Sequence, residues 1–460
     1  MGFFGDSIIL RYIVSVLEHT IVTFLTILVI SFVYYFFQKK FFTINGIPHE
    51  KPSRIFGNMM QPCFGTVSFV ERLKIHYSMD NVARYMGFYD FNNPIILVRS
   101  PDIAEQILVK HYTAFVDHSD SYETIHDALF RTNSYSLKYR KGSKFSRYFH
   151  ELFKAPNMEA TLFPLILKRS KNLIEYIKGH TENGKITMNS KDIFSRYIND
   201  VFSSCGFGID NSDAINNPDD LFYKLAVDAL TFKGLKLYKF FFMRTYPSIA
   251  DYFRMNLTDD RVREFFTTVV RDIIGIREVN PSKRRRDMIE IMMEAKFQNE
   301  LNETSPEITI EDITAQAFGF YLNGFDSTSS LLCFATHLLS INEKAQVKLY
   351  EEVMEVYGKF QEEPTYEAID NMKYLDAVVC ETLRLYPITP YIERVCTKHV
   401  DFVPSLPRGK KYCYVDPGTS VWIPTYAFQN DSHFYPYPRI FRPERFIGRN
   451  LFLLRSIRHV

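Results

Sequence analysis

Asn323, Gly324, Asp326, Ser327, Thr328 and Ser329 fall together in the middle of a largely apolar, helix-patterned stretch. The spacing predicts one long helix over 309–340, capped by Thr309 with Asp312 as its reciprocal partner. A buried helix rarely gathers Asn, Gly, Asp, Ser and Thr at mid-span. Gly and the hydroxyl residues weaken or bend the hydrogen-bond ladder, and such a defect in a long helix often marks a site. Further on, Glu381 and Arg384 stand three apart, on one helix face. If buried they must pair, because an unpaired buried charge is very costly. Other chemistries find no motif: the sequence has no Gly-x-Ser-x-Gly elbow, no His-Glu-x-x-His and no phosphate-binding glycine loop.

Order and spacing carry more than any one motif. Glu381-Thr382-Leu383-Arg384, then Ala427-Phe428-Gln429-Asn430-Asp431, then Phe441-Arg442-Pro443-Glu444-Arg445-Phe446 resemble the buried Glu/Arg/Arg triad region of the cytochrome P450 family. Asp200-Val201-Phe202-Ser203-Ser204-Cys205-Gly206-Phe207-Gly208-Ile209 is similar to a helical segment of its insect members, and the resemblance is closest to the insect microsomal branch that handles xenobiotics and other lipophiles. It implies the family's mainly α fold with small β-sheets (α+β) and a haem b cofactor. It also implies electrons from NADPH through a membrane-bound reductase. Glu381, Arg384 and Arg445 would form the structural triad. Asp326, Ser327 and Thr328 would line the oxygen-binding groove, an acid and hydroxyls that pass protons to dioxygen. Asn323 departs from the small residue usual there. Arg394 would pair a haem propionate. The family's upstream Trp-x-x-x-Arg is not intact: its place falls near Phe145 and Phe149, with Ser146, Arg147 and His150 around them.

The family's axial cysteine follows the second arginine in a Phe-x-x-Gly-x-x-x-Cys loop. Here no cysteine follows Cys413, so no metal ligand is assigned. The expectation is a C-terminally truncated member of the fold with weak or no haem binding and no monooxygenation in this 460-residue form. The alternative is a haem-free, membrane-anchored pseudoenzyme that binds lipophiles.

Composition bounds the rest. The length allows a large core, and no repeat or linker interrupts 61–460, so one domain is expected there. A net charge of +2 argues against a nucleic-acid protein. The six cysteines are scattered, which disfavours a disulfide scaffold or a zinc site. Residues 21–37 are almost all apolar and, extended back to Ile13, could cross a bilayer. Lys39 and Lys40 follow, so 1–40 reads as a single anchor in the endoplasmic reticulum membrane with the body facing the cytosol. Gly46, Pro48, Pro52 and Gly57 mark a stiff hinge over 41–60.

Local expectations complete the reading. A strand is expected over 95–98 and helices over 102–110 and 191–204, the last capped by Ser190. Cys205 reads as a small core residue. Phe240-Phe241-Phe242-Met243 reads as core or as a second membrane contact. Lys283-Arg284-Arg285-Arg286 reads as a solvated loop. The sequons at Asn256 and Asn302 should stay unused in the cytosol.

Overall fold

The structure is a computed structural model. It describes residues 41–447 apart from 54–55, 81, 92, 119–125, 133–136, 138, 211, 302–306, 360–362, 408 and 410–411. The anchor expected over 1–40 lies outside the described residues, and among those described no helix is long and apolar enough to cross a membrane. The chain divides into two compact units. One gathers the residues up to Phe115 with Tyr391–Ala427, the other Val116–Pro390 with the residues from Phe428 on.

The first unit is built on a four-stranded sheet. β1 (Tyr85–Asp90) pairs antiparallel with β2 (Asn93–Val98), which runs parallel to β6 (Ser420–Ile423). β3 (Ile392–Val395) closes the far edge, antiparallel to β6. β4 (Val400–Phe402) and β5 (Cys413–Val415) form a separate pair. The expected strand over 95–98 is the buried part of β2. Trp422, the only tryptophan, is fully buried in β6 beside Phe88 and Leu97. Its ring lies 4.3 Å from that of Tyr391 and meets Phe69 edge-on at 5.9 Å, on helix α1 (Phe69–Tyr77). The Pro/Gly segment expected to act as a hinge lies along β1. Phe42 is fully buried and meets Tyr89 edge-on, Pro48 accepts from the Gly87 N–H, and the Asn58 side chain accepts from the Tyr89 N–H at 2.7 Å. Turn residues predicted the bends; the apolar and amide groups between them fix the segment to the strand.

The second unit is helical. The helices used below are α2 (Tyr139–Leu152), α3 (Phe163–Gly179), α4 (Ser190–Phe207), α5 (Leu235–Thr245), α6 (Pro247–Tyr252), α7 (Asp260–Val279), α8 (Met288–Leu301), α9 (Ile310–Ile341), α10 (Glu343–Lys359) and α11 (Lys373–Leu385). The long α9 matches its expected span, and Thr309 and Asp312 form the reciprocal capping box. Ile313 to Tyr321 are all buried, with Phe318 against Phe266 of α7 and Phe320 against Phe202 of α4. α4 is capped by Asn189, whose side chain accepts from the Asp192 N–H, and not by Ser190. Ser190 instead pairs with the Cys333 sulfur at 3.1 Å. α4 ends at Gly208 in the left-handed region (φ 73), where a side chain would be strained and would strike Arg277 and Asp287. Cys205 is a core residue: burial pushes its thiol up to about 12.

The basic run at Lys283 is largely solvated, as expected: Lys283, Arg284 and Arg286 are exposed, and only Arg285 is half-buried. Arg285 donates to Asp210 at 2.8 Å, Asp287 at 3.2 Å and the Ser204 carbonyl, while the buried Arg277 pairs with Asp287 and lies 3.4 Å from Glu290. Arg285 thus closes a partly buried ion network at the end of α7, with Asp210 just past α4 and Asp287 two residues along the same loop as its acids. The sequon at Asn256 is also no free acceptor: Thr258 is buried and donates to the buried Asp127. Asn302 lies outside the described residues.

Candidate active site

Polar side chains mid-way along α9 bend back on their own helix. The Asn323 amide donates to the Gly319 carbonyl at 2.9 Å. Ser327 donates to the Asn323 carbonyl at 2.6 Å and Ser329 to the Asp326 carbonyl at 3.3 Å. The expected defect is therefore not a break. The α-helix runs from Ile310 to Ile341, and side chains compete for its carbonyls instead. Thr328 is half-buried with no hydrogen-bond partner among the described residues. Asp326 is exposed and pairs with Lys191 at 2.7 Å; the same ammonium donates to Ser329 at 3.0 Å and Ser330 at 2.7 Å. Lys191 went unseen in the sequence, since its partners stand far down the chain and no spacing rule links them.

Close approach of α4 positions this stretch. Gly324 faces the ring of Phe202: a Cβ added there would lie 1.9 Å from the ring's Cζ. Tyr321 donates to Asn199 at 2.9 Å one turn earlier. Gly324→Ala is expected to lower stability by about 1–2 kcal/mol despite alanine's better helix propensity, because overpacking outweighs it. The urea midpoint checks this; an unchanged midpoint would mean that Phe202 yields freely. Past Tyr321 the burial loosens, and Leu322, Leu331, Leu332 and Phe334 are only half-buried.

Glu381 and Arg384 on α11 are fully buried and paired through two hydrogen bonds, at 2.7 and 2.8 Å. Arg445 reaches the same carboxylate at 3.3 Å, and the Arg442 N–H donates to it at 2.9 Å. Arg384 also donates to the Gln429 carbonyl at 2.8 Å, and Arg445 to the Tyr437 carbonyl at 3.0 Å. One carboxylate thus collects three chain segments. Arg394 stands in β3 of the first unit, half-buried, and donates to the Glu393 carbonyl. Glu393, directly opposite Trp422 in the sheet, accepts from the indole N–H at 2.6 Å and from Ser420 at 3.0 Å. In α2, Phe145 packs against the helical core, and Arg147 and His150 are exposed.

The profile of the family described as Cytochrome P450 matches residues 54–459. The chain belongs to the cytochrome P450 family. It is 32% identical over 434 residues to Cytochrome P450 9e2 of Blattella germanica, covering 89% of this chain and 80% of that one. It is 28% identical over 443 residues to Cytochrome P450 6a2 of Drosophila melanogaster, covering 93% and 84% of the two chains. It is 29% identical over 420 residues to Cytochrome P450 6a8 of the same fly, covering 90% and 81%.

The family implies haem, and the residues present fit it in part. A guanidinium on β3 and hydroxyls on α9 are of the types that would serve its propionate and its oxygen side. An axial thiolate is not among the described side chains. None of the six cysteines follows a Phe-x-x-Gly at the family's spacing. Burial pushes Cys205 and Cys413 up to about 12 and raises Cys63 and Cys396 as well, so these favour the neutral thiol. Cys333 is paired with Ser190. Among the described residues no group of three metal-ligating side chains forms.

Proposed function

We propose that this chain is a haem-thiolate monooxygenase by lineage, oxidising lipophilic compounds such as xenobiotics or hormones with electrons from NADPH through a reductase. We further propose that its 460 residues by themselves do not activate oxygen. The likeness to insect family members over most of the chain supports the first statement. That no cysteine follows a Phe-x-x-Gly at the family's spacing, and that burial holds Cys63, Cys205, Cys396 and Cys413 as neutral thiols, supports the second. Within the oxygen side, Asp326 is the proton-carrying acid, with Lys191 its partner. Thr328 is the available hydroxyl, because Ser327 is already bound to the helix. Arg394 serves the propionate, and Glu381, Arg384 and Arg445 brace the chain around Phe441–Phe446. The test is the carbon monoxide difference spectrum of the purified, reduced 460-residue polypeptide supplied with haem. No thiolate-type band is expected, and a clear one overturns the reading.

The half-buried apolar side chains on α9 favour one further reading, a haem-free chain that holds lipophiles without oxidising them. It fails if no apolar dye is retained by the haem-free protein.

Residence at the endoplasmic reticulum membrane, by the segment 1–40 with the body in the cytosol, is part of the same proposal. A second contact is supported by α5 and α6, where Leu235, Tyr238, Tyr252 and Phe253 are largely exposed beside Lys233, Lys239 and Arg254. Met243 of the same stretch is fully buried, so the tetrad from Phe240 divides between core and surface. Replacing Leu235, Tyr252 and Phe253 together by glutamate in residues 41–460 is expected to weaken binding to anionic phospholipid vesicles. At about 1.5 kcal/mol for each of the three inserted side chains, about 4.5 kcal/mol in all, the loss is on the order of 1,000-fold. Sedimentation with vesicles checks it, and unchanged binding would remove the contact.

A further inference from the structure

A fully buried histidine, His76 of α1, lies between β1 and the segment 41–60. Its Nε2 stands 2.9 Å from the Gly87 carbonyl. A carbonyl only accepts, so this nitrogen carries a proton, and in a neutral ring Nδ1 is left as a bare lone pair. Nδ1 has no hydrogen-bond partner among the described residues and faces Oε2 of Glu50 at 3.5 Å. A neutral core histidine at rest would want a donor there; here its neighbour is a carboxylate. Two acceptors turned on each other away from water are unfavourable. A second proton on the ring makes the same contact a charge-assisted hydrogen bond.

Glu50 ties the segment down. Its carboxylate also accepts from Arg72, one turn before His76 on α1, and from the Asn58 side chain at 3.2 Å. The backbone around it sits on β1: Pro48 accepts from the Gly87 N–H, and the Asn58 N–H donates to the Tyr89 carbonyl, both at 2.8 Å. Gly87 is thus held on two sides, by Pro48 at its N–H and by His76 at its carbonyl. The charged groups at the ring are Glu50 from the segment and Arg72 from its own helix. β1 turns to it the Gly87 carbonyl and the ring of Phe88, edge-on at 5.1 Å. His76 beside it, with Arg72 adding, outweighs burial and holds the Glu50 carboxyl below its ordinary range. A lowered carboxyl contributes stability above its ordinary range and loses it as pH falls. An imidazole that gains a carboxylate partner contributes with its proton on and loses it as pH rises. The contact is complete only with both charges present.

We propose that His76 is a proton-operated latch for the segment 41–60. Protonated, it closes on Glu50 and holds the segment to β1; deprotonated, it turns a lone pair on the carboxylate and the segment loosens. This does not depend on haem or on the oxidative chemistry. Hydrogen–deuterium exchange of the 460-residue protein tests it, read on peptides from 41–60 and corrected for the intrinsic pH dependence of exchange. From about pH 5.5 to about pH 8.5, spanning the interval in which histidines change charge, exchange there is expected to rise about tenfold while α11 stays level. Glu50→Gln removes the carboxylate and offers Nδ1 an amide N–H, so the rise should shrink to under about twofold. A level profile in the wild-type protein, or the same rise in Glu50→Gln, would overturn the latch. A second measurement needs no variant. Ring-nitrogen NMR of selectively labelled histidine should show His76 losing its Nδ1 proton over the same interval as the exchange rise. A ring already neutral at about pH 5.5 would equally overturn the proposal.

Discussion

Glu381→Ala is expected to destabilise the helical unit by about 3–5 kcal/mol, the cost of leaving a buried arginine without its counter-charge. Arg384 has no exposed surface and, among the described residues, no second carboxylate partner: its remaining bonds there go to backbone carbonyls, chiefly that of Gln429. The same carboxylate anchors Arg445 and the Arg442 N–H, so its loss also frees the segment around Phe441. Denaturant unfolding followed by far-ultraviolet circular dichroism gives the magnitude. A double-mutant cycle with Arg384→Ala should be strongly non-additive, because removing both charges leaves neither stranded. A loss below about 1 kcal/mol for the single change would show that water reaches Arg384 and that the network is not dry.

Trp422→Ala should cost the sheet unit a similar amount, about 3–5 kcal/mol for emptying the space of a fully buried tryptophan. The ring fills the core between Tyr391, Phe88 and Phe69. Its N–H also donates to the Glu393 side chain opposite it, so the substitution removes packing and a hydrogen bond to a charge together. Trp422→Phe keeps most of the volume and loses the donor, and about 1–3 kcal/mol is expected for it. Unfolding by circular dichroism measures both. If phenylalanine is as costly as alanine, the hydrogen bond dominates; if phenylalanine is neutral, Glu393 finds another donor. Either way Arg394, the next residue along β3, is placed by this pair.

The long helix α9 was legible because apolar spacing and a capping box are local signals, and both ends of α9 follow them. The triad was legible for a related reason. Two of its members share one helix turn, and the third lies in a motif whose order relative to them is distinctive. Cys205 was legible as core from its apolar neighbours. What failed was whatever depended on partners far along the chain. Arg285 met Asp210, 75 residues back along the chain. The Pro/Gly segment was fixed by β1. Lys191 met Asp326 only through the packing of α4 on α9, which Gly324 permits.

The sequence by itself determined the helix pattern, the family and the types of residue at the candidate site. Those follow from periodicity, caps and motif order, which act over a few residues at a time. Only the tertiary structure decided which charges pair and which hydroxyl is tied back to its helix and which is left available. Coulomb and hydrogen-bond energies depend on distance in space and on burial, and neither is written in the spacing of residues along the chain.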